Sequence, residues 1–94
     1  MNYMKNKILL ESLASDLKRV ALGLHRGSSS MTKRFSEEAL ARNREIEREK
    51  LDGYLVKLLE RMEKTLRMPN TGRKAEDALM YSTLLQNYAL KRCS

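Results

Sequence analysis

Apolar residues recurring at alternating three- and four-residue steps constrain this chain more than any other feature. Leu10, Leu13, Leu17, Val20 and Leu24 make one such stripe, and Leu51, Leu55, Leu58, Met62 and Leu66 make a second. That spacing holds side chains on one side of a helix, so each stripe is a coiled-coil-like seam that must be covered by something. Between them lies a stretch from 41 to 50 in which seven of ten residues are charged.

The first seam belongs to a helix running from about residue 3 to residue 25. His25 and Arg26 place positive charge at the negative end of the helix dipole, and Gly27 can take the left-handed conformation that closes a helix. Residues 27–35, with Ser28, Ser29 and Ser30, read as a connection. Ser36 is the next N-cap candidate: Glu37 and Glu38 follow it, and Phe35 and Leu40 stand at the positions of a hydrophobic staple. An earlier start near Ser30 would keep Met31, Phe35 and Ala39 at four-residue spacing.

The pattern then continues to Met68, before Pro69, Asn70 and Gly72 stop it. Phase is informative within this segment. At about 100° per residue, Phe35, Ala39 and Ile46 point one way and the second stripe points roughly 160° away. Either one helix over 36–68 offers its halves to different partners, or the chain breaks at Asp52-Gly53. The charged run is rich in helix formers and one glycine costs only about 1 kcal/mol relative to alanine, which favours the continuous helix. A last helix spans about 71–92, capped by Asn70 or Thr71, with Ala75, Ala78, Leu79, Tyr81, Leu85 and Tyr88 on one broad side and Met80, Leu84 and Leu90 farther round.

The expected fold is therefore all-α: a single domain over 1–94 of three helices with a long middle helix, completed by self-association into a helical bundle. Ninety-four residues suffice to bury roughly 60–65% of the unfolded surface without staples. Aromatics make up only 5% of the chain and tryptophan is absent, so the core must be aliphatic. One cysteine, Cys93, cannot form an internal disulfide, which points to a reducing, cytoplasmic setting. No apolar run approaches the roughly 20 residues of a membrane span.

The formal charge of +7 admits nucleic acid, an anionic surface or an acidic protein as partner. In the run around Arg42 to Lys50, acids and bases nearly balance. The pairs Glu38/Arg42, Arg42/Glu45, Arg44/Glu47 and Glu45/Arg48 suit a solvated helix that supports itself. The dibasic pairs Lys18-Arg19, Lys33-Arg34 and Arg73-Lys74, together with Lys91-Arg92, are the better candidates for phosphate contact, provided that they converge. Tyr54, Tyr81 and Tyr88 read as interface residues rather than a base-stacking platform.

Catalytic chemistry is poorly supplied. His25 and Cys93 are single representatives of their kinds, and no phosphate-binding loop, Glu-x-x-His pair or zinc-ligand spacing is present. These observations lead to a non-enzymatic interaction, regulatory or assembly module with no cofactor, no metal and no small-molecule substrate. Its partners are expected to be further copies of itself and another protein, with the ten seam residues carrying packing and assembly. The alternative is a small basic nucleic-acid-binding protein using Lys18, Arg19, Lys33, Arg34, Arg73 and Lys74.

Overall fold

In the computed structural model, which describes residues 2–92, the chain forms four α-helices and, among the described residues, no strand. They are α1 (Asn2–Arg26), α2 (Ser29–Glu45), α3 (Gly53–Leu66) and α4 (Gly72–Arg92), with one 3-10 turn at Arg48–Lys50. α1 packs against α2 and α4, and α3 closes the arrangement against α4 and α2. Long-range bonds set the directions. Asp16 meets Arg42 and Asn6 meets Glu47, so α2 returns antiparallel along α1. The Ser82 hydroxyl donates to the Ala14 carbonyl at 2.6 Å, and Tyr88 reaches back to Asp52, so α4 runs antiparallel to both α1 and α3. The result is an up-down-up-down bundle of 39 × 19 × 19 Å. Its long dimension matches the 25 residues of α1 at about 1.5 Å each.

The two apolar stripes meet inside this one chain. Leu10, Leu13, Leu17 and Val20 are fully buried and share a cluster with Leu55, Leu58, Leu59, Met62 and Leu66, joined by Ala39, Ile46, Ala78, Leu85 and Ala89. Each large aliphatic side chain so buried contributes about 1.5–3 kcal/mol. Leu24 and Leu51, at the ends of the stripes, are only partly covered.

The connection expected over 27–35 shrinks to two residues. Gly27 takes φ +71°, and paired bonds from Ser28 N–H to the Gly23 carbonyl (2.8 Å) and from Gly27 N–H to the Leu24 carbonyl (3.2 Å) close α1. Ser28 then caps α2 at once, its hydroxyl accepting from Met31 N–H. Ser36, the expected cap, lies buried in mid-helix instead. The turn is this tight because the helices approach closely where Gly23 has no side chain: a Cβ there would stand 2.7 Å from the Thr32 hydroxyl oxygen.

The continuous helix over 36–68 does not form. α2 stops at Glu45, and Ile46 and Glu47 are extended, with ψ of 130° and 105°. The opposed phases of the stripes are the reason: a straight rod would aim Ile46 and Leu55 to opposite sides, whereas the break lets both enter one core. Several of the freed backbone groups find partners. Arg48 Nη1 donates to the carbonyls of Asn43 and Ile46, and the Asn6 amide both accepts from and donates to the Glu47 backbone. Leaving such groups unpaired would cost about 1–3 kcal/mol each.

Asp52 caps α3, with its Oδ1 accepting from Leu55 N–H at 2.9 Å. Gly53 is thus the first residue of α3 and not a turn residue; φ is not positive, and a Cβ would meet nothing within 4 Å. Gly53→Ala should accordingly stabilise the protein by up to about 1 kcal/mol in urea titration, with the break intact. Thr71 caps α4 as expected, accepting from Lys74 N–H.

Candidate functional site

With the seams consumed in the interior, function must reside on what remains outside. The members of the dibasic pairs differ in exposure. Lys18, Arg19, Lys33, Arg34 and Arg73 are exposed, but Lys74 is buried, its Nζ donating to the Met68 carbonyl and to Asn70 Oδ1 at 3.0 Å each. Burial pushes this ammonium below the usual lysine range. Lys74 therefore ties the chain after α3 to the start of α4 and is not free for phosphate. Arg73 pairs with Asp77, and Arg34 with Glu38. Arg19 and Arg34 come together, their guanidinium carbons 5.4 and 5.2 Å from the centre of the Phe35 ring, and Lys33 and Lys74 line one shared depression. A cation over a ring face at an exposed site contributes about 0.5–1 kcal/mol, which makes this an α1–α2 clasp.

The charged run serves the fold more than the solvent. Of its expected pairs only Glu38/Arg42 forms among the described residues, at 3.6 Å; α2 ends before Arg44/Glu47 and Glu45/Arg48 can align, and Arg42 is turned towards Glu38 and Asp16 rather than Glu45. Arg42 also reaches Asp16 at 3.4 Å across the α1–α2 interface. Burial raises the Asp16 carboxyl above its ordinary value, with Glu38 adding to the rise and Arg42 and Arg19 opposing it. The native state then holds the proton more tightly than the unfolded chain, so this group's contribution to stability falls as pH rises from about 3.8 through the raised value. Asp16→Asn should flatten that decline, so that the variant gains on the native protein above this window and matches it below, as read from urea midpoints against pH.

A strongly charged concavity escapes a reading that attends to adjacent pairs. It is a groove of about 590 Å³ between α2 and α3. Its floor is Asn43, only 1% exposed, whose Nδ2 donates to Glu63 Oε1 (2.8 Å) and whose Oδ1 accepts from Arg48 Nη2 (2.6 Å). Its walls carry Lys57, Arg61, Lys64, Arg67 and Arg48 against the two acids Glu60 and Glu63. Arg67 bonds Glu63 at 3.4 Å, whereas Lys57, Arg61 and Lys64 are exposed and enter no ion pair among the described residues. The signal was legible: these three cations follow steps of four and three opposite the apolar stripe of α3.

The second distinctive surface is the outside of α4. No charged residue occurs from Ala78 to Leu90, in a chain that is 33% charged. Leu79, Met80, Thr83, Gln86, Asn87 and Leu90 are all exposed there. Tyr54 and Tyr88 stack at 6.5 Å between centroids, and the Tyr88 hydroxyl donates to Asp52 Oδ2, so this pair braces α3 against α4. Tyr54 is nevertheless exposed rather than half-buried, while Tyr81 is partly covered.

Among the described residues no group of three or more His, Cys, Asp or Glu is placed to hold a metal ion, and no helix is long and apolar enough to cross a membrane. His25 is exposed at the end of α1, and Cys93 lies outside the described residues. The chain matches no protein-family model, no curated protein and no solved structure.

Proposed function

We propose that this protein is a non-enzymatic assembly module, a helical bundle that pairs with a second copy of itself through the outer face of α4. The observation that carries this reading is the spacing of the exposed, uncharged residues. Leu79, Thr83, Gln86 and Leu90 follow steps of four, three and four, which is a second seam on the side of α4 away from the core. Two such helices related by an antiparallel two-fold axis would set Leu79 of each copy against Leu90 of the other. Thr83 would likewise meet Gln86. Thr83 donates its own proton to the Leu79 carbonyl, so its oxygen is left to accept from the partner's Gln86 amide.

Charge supports the same occupant. Two copies each carrying +7 repel wherever their basic surfaces approach, and an uncharged face relieves that repulsion. The seam from Leu79 to Leu90 spans only about 16 Å of helix, well short of the roughly 800 Å² per partner of a standard interface. The dimer is therefore weak and concentration-dependent.

Sedimentation equilibrium tests this reading. The weight-average mass should rise from 10.9 kDa towards twice that value across the micromolar range. Leu79→Glu with Leu90→Glu should hold the protein at the monomer mass with unchanged helicity. A native protein that stays monomeric at high micromolar concentration would contradict the proposal.

A further inference from the structure

We infer that the α2–α3 groove binds the sugar-phosphate backbone of a single nucleic-acid strand, with Lys57, Arg61 and Lys64 neutralising successive phosphates. The inference stands apart from dimerisation, since the groove and the α4 seam share no residue. Three observations support it.

The first is regular spacing. Cations at steps of four and three stand about one helical turn apart along a single row, and a ligand with evenly spaced charges matches such a row better than a globular acidic surface. From Lys57 to Arg67 the row covers about 15 Å of axis, which corresponds to roughly four nucleotides at a rise of 3.4 Å per strand.

The second is availability. Lys57, Arg61 and Lys64 are exposed and enter no ion pair among the described residues, while Arg48 and Arg67 add positive charge at the edges. Asn43 and Glu63 hold Arg48 and Arg67 in place without touching the three-residue row.

The third concerns the rival ligands. A membrane-binding helix needs apolar side chains beside its cations, to insert below the headgroups. The apolar face of α3 is spent on the core, with Leu55, Leu59 and Met62 fully buried. No aromatic side chain lines the groove, so bases find no stacking platform, and contacts to the backbone alone make binding tolerant of sequence.

The test is fluorescence anisotropy of a labelled oligothymidylate titrated with the full chain over a series of salt concentrations. Three neutralised phosphates predict a log–log slope of about −2.1, so a fourfold rise in salt should weaken binding about 18-fold. The variant Lys57→Gln/Arg61→Gln/Lys64→Gln should lose at least about tenfold in affinity at low salt and most of the slope. A control, Lys18→Gln/Lys33→Gln/Arg73→Gln, removes the same charge elsewhere and should bind nearly as the native protein does. Circular dichroism of both variants checks that these exposed changes leave the fold intact.

Absence of binding at low salt would overturn the inference. So would equal losses in the two variants, which would reduce the effect to net charge. Competition by polyglutamate as effective as by unlabelled strand would assign the groove to an acidic protein, and tighter binding to phosphatidylserine vesicles would assign it to a membrane surface. Either result overturns it as well.

Discussion

Leu17→Ala and Leu58→Ala should each destabilise the protein by about 2–5 kcal/mol in urea titration. Leu17 is fully buried in α1 and Leu58 is 6% exposed in α3, and both belong to the same cluster. Truncation removes the transfer energy of the lost carbons and leaves a cavity that a bundle of long helices can fill only in part. A domain of this size is stable by about 5–14 kcal/mol, so either change removes a large share of the total. Each lost kcal/mol lowers the melting midpoint by about 4–8 °C. Because the two stripes meet within one chain, these losses should not depend on protein concentration. Near-neutral results at both sites would mean that the stripes are covers for a partner rather than a core.

Asn43→Ala should cost about 2–4 kcal/mol, an effect out of proportion to the few atoms removed. The side chain bridges two charged groups, Glu63 on α3 and Arg48 after α2, through bonds of 2.8 and 2.6 Å. Hydrogen bonds to charged groups contribute about 1.5–3 kcal/mol each, and some of that returns when water from the groove solvates Glu63. α2 buries little aliphatic surface of its own, with Thr32, Ser36, Ala39 and Asn43 as its buried residues. Polar ties must therefore hold α2 against α3. Glu63→Gln keeps an oxygen that accepts from Asn43 Nδ2 and should lose less than Asn43→Ala. Equal losses would assign the effect to the Glu63 charge rather than to the bridge.

The ends of α1 and α4 were legible in the sequence because their signals are local. Gly27 and Thr71 act within a few residues of the helix ends they define, and the burial of the two stripes follows from spacing alone. The break after Glu45 was not legible, because what stabilises it is distant: Asn6 lies 41 residues from the Glu47 backbone it pairs with. The opposed directions of Ile46 and the second stripe were visible, but two partners on opposite sides of a rod explain that phase as well as one core reached through a break. Within the pair Arg73-Lys74 the two residues part for a geometric reason. Adjacent residues on a helix point about 100° apart, so Arg73 faces solvent while Lys74 turns inward. Cations that share a surface are spaced by three or four, as Lys57, Arg61 and Lys64 are.

The bundle and its groove both depend on the chain folding back between α2 and α3. Spin labels at Glu37→Cys and Lys64→Cys, with Cys93→Ser to leave two labels per chain, would measure that directly by pulsed electron resonance. Dilution with unlabelled protein keeps the distances within one chain. A helix unbroken over 36–68 would separate the two positions by about 40 Å. In the bundle Glu37 and Leu66 line the same depression, and neighbouring helix axes lie about 8–10 Å apart. The distance distribution should therefore centre below about 25 Å, label arms included. A single population near 40 Å would contradict the fold, and with it the groove between α2 and α3.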